Sequence, residues 1–472
     1  MNKKVLQVIM SFIFIFSFVG CSCKGESEEV KKGTIEVPQT FAYYSKNING
    51  NYTFTYPFGT YSSIIYFYES DKDKIEEYYI NEYIRMHQLF DRHYYYFDEN
   101  DHLINNLRVL NESSGEAISV DEDLIQIIKE GIKFTKLSKG KFNIAVGKLS
   151  DLWNSFIEVK DYLGYQDITK LSKYNFINGE YSKDDNGKYV YAGNAFIDIS
   201  ENTKRYIIED KNFVLSNEGT YIDLRNIEPS KEQIEYAKSC TPNYEIIEDI
   251  IVINDENNTI TLNPVNGCNI SVTLGALAKS YAVEKITSDD RIKNGNFLVN
   301  SGQSTIKLLG DNLAKESGNW LVAITDSYLV YKEGTFFGTY MATIDETVSI
   351  STSSGDNEHY RCNDNYYHHI IDPISGYPYQ GRFAVTSVTE NAMYADIITT
   401  TLMTMNMNET KEYLQTLKEQ NITTELLIQE KENDFVKVYI TSQLKNKISK
   451  NTDDSYKDYI NSIVIEDFNY ES

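Results

Sequence analysis

Histidine, proline, cysteine and tryptophan are scarce in this chain: 6, 7, 5 and 2 in 472 residues. The cysteines stand far apart or in the N-terminal segment, with no Cys-x-x-Cys pair. That pattern excludes a disulfide-dense scaffold and a structural zinc site. One bridge among Cys240, Cys268 and Cys362 is open but not assigned by spacing. Positive charge is also short. There are 45 Lys and Arg against 69 Asp and Glu, a net charge of −24, and no basic face. A nucleic-acid partner is therefore excluded. Beyond the N-terminus no run is long and apolar enough to cross a membrane. What is present folds: 41% of residues are apolar and 13% aromatic, with 38 Tyr. The length suffices for one large domain or two to three ordinary ones.

The N-terminus reads as a signal for export. Lys3-Lys4 precedes an apolar stretch, Val5 to Val19, that ends in Phe18-Val19-Gly20-Cys21. The last four residues resemble a bacterial lipobox, in which the peptide is cut before Cys21 and that cysteine carries lipid. Residues 1–20 are thus expected to be a lipoprotein signal peptide and 21–50 a tether. The expected location is the extracytoplasmic face of the cell membrane, with a lipid anchor.

Periodicity predicts intermixed helices and strands, hence an α+β (α/β layered) fold. Ile75, Tyr79, Tyr83, Met86 and Phe90 mark a helix over 71–94. Asp121 is placed to cap a second helix ending at Leu137. Helices are expected over 276–286, 391–405 and 409–417, and strands over 61–68, 296–300, 320–325, 384–389, 425–429 and 435–441. Residues 157–228 read as an inserted or diverged subdomain, and 446–472 as a loose polar tail.

Several segments carry chemistry-bearing side chains. His368-His369-Ile370-Ile371-Asp372-Pro373 sets two imidazoles and a carboxylate before a turn. Asp396 and Thr400 are one helical turn apart, so their oxygens face one way and suit Mg²⁺. Thr in a helix also commonly bonds its own backbone. Leu274-Gly275-Ala276-Leu277-Ala278-Lys279-Ser280 opens a helix whose free amides and lysine suit a phosphate, or simply packs closely. Gly140-Lys141-Phe142-Asn143 leads to Trp153, either a ligand loop or a helix end before a core aromatic.

In this order, together with Pro57-Phe58-Gly59-Thr60, Asn300–Gln303 and Ser353-Ser354-Gly355-Asp356, these segments resemble the ApbE family, the FAD:protein FMN transferases. The resemblance spans most of residues 50–445. It implies mixed sheets with flanking helices and an FAD cleft between two subdomains. It implies Mg²⁺-dependent transfer of FMN from FAD to a Thr or Ser of an acceptor protein with an FMN-binding domain, releasing AMP. The alternatives are an FAD pyrophosphatase and a non-catalytic flavin-binding lipoprotein. By the resemblance, Asp396, Thr400 and the Ala276 carbonyl match the metal ligands. Phe58, Lys279 and Ile371 match flavin-dinucleotide contacts, as does Tyr96 (or Tyr94 or Tyr95). His369 matches the histidine near the reacting phosphate and is the candidate base, steered by Asp372 or by the backbone. Thr273 stands where the family has an Asp contacting FAD, and Ser280 where it has a Gly.

Overall fold

The structure is a computed structural model. It describes residues 57–163 apart from 61 and 68–71, and residues 228–470 apart from 303, 357, 363, 364, 433, 434, 452 and 453. Outside those spans it describes the strand backbones named below and the paired strands Tyr43–Lys46 and Tyr52–Thr55.

Nine strands form the major sheet, numbered here in chain order: β1 (Lys32–Glu36), β2 (Ser62–Phe67), β3 (Asn296–Ser301), β4 (Thr305–Leu309), β5 (Val348–Ser354), β6 (Arg382–Thr389), β7 (Glu425–Glu432), β8 (Phe435–Ile440) and β9 (Val464–Asp467). Their order in the sheet is their order in the chain. Every pair is antiparallel except β8 with β9, which is parallel.

The two sheet faces are buried differently. One face carries Phe297, Val299, Leu309, Val385, Leu426 and Ile428, packed in one core with helices α1 (Lys72–Phe90), α2 (Glu122–Leu137), α4 (Ala278–Thr287) and α5 (Ala392–Leu402). Between α2 and α4 in sequence lies α3 (Gly147–Leu163). The other face carries Leu308, Val348, Ile350, Leu427, Val436 and Val438. It packs on a smaller sheet of Trp320–Thr325, Gly338–Ile344 and Ile448–Lys450. Side chains alternate across each strand, so neighbouring residues serve different cores. The fold is α+β, as the sequence implies.

Local chemistry explains the helix starts. Asp121 accepts the N–H of Asp123 and caps α2, an interaction worth about 1 kcal/mol. Asn391 caps α5 by accepting from Tyr394. Ser230 and Gln233 make a reciprocal capping box on the helix Lys231–Ser239.

Two expectations are corrected. The segment read as a tether holds β1, whose backbone pairs along β2 from Lys32↔Phe67 to Glu36↔Ser63. The tail read as loose instead gives a strand to the smaller sheet and then β9, which covers the edge of β8. At β9 polar composition misled because an edge strand buries little of its outer face. Within 157–228, α3 runs on to Leu163 and two three-stranded antiparallel sheets follow. They are Tyr181–Lys183, Tyr189–Tyr191 and Phe196–Ile197, then Arg205–Glu209, Asn212–Asn217 and Thr220–Asp223. Cys21 and the predicted signal peptide lie outside the described residues. Cys240 and Cys268 form a disulfide across 28 residues, which resolves the open pairing. Among the described residues no helix is long and apolar enough to cross a membrane.

Candidate active site

The face of β5 turned to the helices is polar. Ser349, Ser351 and Ser353 alternate along it, and each engages a different partner. Ser349 Oγ donates to the Glu390 carbonyl at 3.1 Å. Ser351 Oγ lies 3.2 Å from Oδ1 of Asp396. Ser353 Oγ is 3.1 Å from Oγ1 of Thr400 and 2.8 Å from Oγ1 of Thr399. Two residues on, Gly355 meets the imidazole-bearing hairpin: a Cβ there would sit 2.7 Å from Cβ of His368. The period-two geometry of one strand therefore gathers Asp396, Thr400 and the His368-His369 segment along a single line.

Asp396 is a strongly perturbed group of this line. It is 5% exposed, and its Oδ2 has no hydrogen-bond partner. Burial pushes its carboxyl up to about 6, against the charge of Lys279 and the hydroxyls of Ser280, Ser351 and Thr305. All three hydroxyls have other partners: Ser280 Oγ donates to the Leu277 carbonyl at 3.0 Å, Ser351 Oγ to the Ser304 carbonyl at 2.9 Å, and Thr305 Oγ1 is 3.4 Å from Ser351 Oγ. The start of α4 thus brings Lys279 and Ser280 to the carboxylate. In the turn just before it, Ala276 is partly buried, and among the described residues no N–H donates to its carbonyl.

The histidines divide their work. His368 is buried. Its Nδ1 accepts the N–H of Ile370 and its Nε2 lies 3.1 Å from the Tyr379 carbonyl. Burial drives its pKa down to about 3, so it stays neutral and holds the hairpin. His369 is about a third exposed. Its Nδ1 lies 3.4 Å from the Glu358 carbonyl, and its backbone N–H donates to the same oxygen. The His369 ring therefore faces the Glu358 carbonyl, with the Glu358 carboxylate 3.8 Å from Nδ1, rather than Asp372. Asp372 is otherwise engaged: Oδ1 accepts from Ile374 N at 3.0 Å, and Oδ2 pairs with Lys141 Nζ at 3.2 Å. It shapes the turn on which Ile371 bridges to Pro378.

The Gly140–Trp153 segment grips that turn. Besides the Lys141–Asp372 pair, Nε1 of Trp153 donates to the Gly376 carbonyl at 2.8 Å, and its ring stacks on Tyr367. The same segment runs beside 271–273. Gly147 N–H donates to the Ser271 carbonyl and Thr273 N–H to the Ile144 carbonyl. A Cβ at Gly147 would lie 2.5 Å from the Ser271 carbonyl oxygen, so only glycine fits. Thr273 is partly buried there.

Phe58 is partly buried, with its ring edge-on to Tyr83 and His87. Tyr96 is fully buried, and its hydroxyl meets Asp91 at 2.7 Å and His87 at 3.0 Å. Its side chain faces the interior. The neighbouring Tyr94 and Tyr95 are partly exposed, and the Arg108 guanidinium lies 4.1 Å above the Tyr95 ring. Sequence reasoning overlooked Ser351, Thr305 and Glu358 as parts of the site; the serine alternation at 349, 351 and 353 was the available signal.

The layered α+β fold matches that of solved ApbE flavin transferases. The chain belongs to the ApbE family, whose model matches residues 58–424. Among solved structures, three ApbE proteins are similar over most of the chain. The ApbE protein of Thermotoga maritima is 20% identical, with a TM-score of 0.55 over 83% of this chain and 97% of that one. The flavin transferase ApbE of Vibrio cholerae is 18% identical, with a TM-score of 0.54 over 89% and 99%. The flavinyl transferase ApbE of Pseudomonas stutzeri, in its apo form, is 14% identical, with a TM-score of 0.52 over 89% and 96%. No curated protein sequence matches the chain.

Proposed function

We propose that this chain is a magnesium-dependent FAD:protein FMN transferase. It moves FMN from FAD to a Thr or Ser hydroxyl of an acceptor protein through a phosphoester bond and releases AMP. The observation that carries this reading is the Asp396 carboxylate: buried, raised to about 6, with one oxygen unpartnered, in an ApbE-family chain. A buried anionic oxygen without a donor is costly unless a cation meets it. Asp396, the Thr400 hydroxyl and the Ala276 carbonyl are hard oxygen donors, and they would hold Mg²⁺. Bound there, Mg²⁺ would withdraw charge from the pyrophosphate of FAD.

The remaining work falls to this chain's side chains. Lys279 adds a point charge for pyrophosphate oxygens beside Asp396. His369, with Nδ1–H turned to the Glu358 carbonyl, keeps a lone pair on Nε2. That nitrogen takes the proton from the acceptor hydroxyl. The acceptor oxygen bonds to the phosphorus on the FMN side, the bond from that phosphorus to the bridging oxygen breaks, and AMP leaves with the bridging oxygen. Phe58 and Ile371 flank the flavin dinucleotide, and Thr273 supplies a hydroxyl where the family has a carboxylate. Positioning and charge stabilisation are the main sources of rate in such a transfer.

The partners are FAD, an acceptor with an FMN-binding domain, and the membrane, through lipid on Cys21. A location on the extracytoplasmic face is supported by the Cys240–Cys268 bridge, since disulfides persist in oxidising compartments. The test is direct. The full chain in detergent is incubated with FAD, MgCl₂ and such an acceptor, then run on a denaturing gel. A flavin-fluorescent acceptor band, lost with EDTA, is expected. Free FMN and AMP without a band would make the chain a pyrophosphatase, and unchanged FAD would sink the catalytic reading.

A further inference from the structure

We propose that His87 and Tyr96 are positioning residues of the flavin site, holding Phe58 in a left-handed backbone conformation through a hydrogen-bond relay that ends on Asp91. The proposal rests on the transferase reading above and adds to it a layer of residues behind the ligand.

Phe58 has φ 53° and ψ 22°. An aromatic residue there is strained, and it persists only where its surroundings hold it. The backbone hold is visible: the Phe58 N–H donates to Nδ1 of His87 at 3.0 Å. With Nδ1 accepting, a neutral imidazole carries its proton on Nε2. That N–H faces the Tyr96 hydroxyl at 3.0 Å. Tyr96 passes its own proton on, donating to Oδ2 of Asp91 at 2.7 Å. Every donor in the series therefore points the same way, from Phe58 to Asp91. The relay is dry, with His87 5% exposed and Tyr96 fully buried. Burial drives the His87 pKa down to about 4, which keeps its Nδ1 an acceptor at neutral pH.

The ring of Phe58 is fixed from the same helix. Tyr83 and His87 stand one turn apart on α1 and meet the ring at 5.0 and 5.4 Å between centroids. Tyr83 is itself tied to β3, its hydroxyl 2.5 Å from Ser301 Oγ. Tyr96 thus acts one layer behind Phe58 rather than against FAD. Asp396, Thr400 and His369 share none of these bonds, so loosening the relay alters flavin capture and spares the chemical step.

The test uses the full-length chain, FAD titration, steady-state kinetics with acceptor, and amide hydrogen exchange over residues 57–60. His87→Leu is expected to raise the Kd and KM for FAD roughly tenfold, to leave kcat within about twofold, and to speed exchange at 57–60. His87→Asn, whose side-chain oxygen can stand near the old Nδ1, restores slow exchange and most of the affinity; Tyr96→Phe falls between. Wild-type affinity and exchange in His87→Leu overturn the proposal. So does a loss of affinity that merely follows falling Tm and that His87→Asn does not rescue. If His87→Leu does not fold, the contrast between His87→Asn and Tyr96→Phe decides. A wild-type chain that does not bind FAD overturns the transferase reading, and exchange at 57–60 then judges the backbone hold separately.

Discussion

Ser351 and Asp396 meet where β5 crosses α5, the serine hydroxyl 3.2 Å from one carboxylate oxygen while the other carboxylate oxygen has no partner. Leaving one oxygen of a buried carboxylate without a partner is costly. The pair marks where the β5–α5 interface gives up stability, as sites shaped for a ligand do.

Replacing Asp396 should separate stability from activity. Its folded pKa of about 6 lies above the ordinary 3.8, so the folded state binds this proton more tightly. Its contribution to stability is greatest below pH 4, falls as pH rises through 4 to 6, and is flat above. The difference is of order 3 kcal/mol. Asp396→Asn is therefore expected to abolish flavin transfer while raising the Tm of the metal-free chain at pH 7.5, with little gain at pH 4. Calorimetry at the two pH values checks this; a lower Tm at pH 7.5 would contradict it.

Cation binding should release a proton at low pH. If Asp396 holds Mg²⁺, the apparent affinity rises with pH by up to tenfold per unit below about pH 6 and levels off above it. Isothermal titration in buffers of different ionisation heat should find proton release at pH 5.5 and none at pH 7.5. Equal release at both would exclude Asp396 as the ligand.

Asp372 and His369 should respond unequally. Asp372 bonds Ile374 and Lys141, and the His369 ring rests on a backbone carbonyl. His369→Ala is expected to lower kcat at least a hundredfold, the usual scale for a lost base. Asp372→Asn and Lys141→Met should cost about 2 kcal/mol of stability each through a broken buried pair. Both should keep measurable turnover. Denaturant melts beside single-turnover rates distinguish the roles; an inactive, fully stable Asp372→Asn would restore Asp372 to catalysis.

Reduction should loosen the fold away from the site. The Cys240–Cys268 bridge closes a loop of 28 residues carrying the strands Ile251–Asn254 and Thr259–Leu262. Cys268→Ser, or dithiothreitol on the wild type, is expected to cost about 3 kcal/mol in urea melts. The two treatments together should cost no more than either alone.

Helices with strong punctuation could be read from the sequence. Asp121 caps where the pattern places a cap, and Trp320–Thr325 is a strand as predicted. The strand most important to the site was not. Val348–Ser354 reads Val-Ser-Ile-Ser-Thr-Ser-Ser, and serine is a turn residue by local propensity. Those serines lie on a buried face because α5 brings Asp396, Thr399 and Thr400 against them, a pairing across some 45 residues that no local window contains. Tyr96 misled for a similar reason. The resemblance matched it, or Tyr94 or Tyr95, to a flavin contact, whereas its partners His87 and Asp91, on the preceding helix and just past its end, draw it inward.

Trp153 gives the chain a built-in optical reporter. Its indole nitrogen is fastened to Gly376 at the turn that follows His369, and the other tryptophan, Trp320, lies in the opposite core, bonded to Gly310. With Trp320→Phe, emission would come from one place only. Its intensity would track how the histidine-bearing turn shifts as dinucleotide enters, and energy transfer to the isoalloxazine would show occupancy before any product forms.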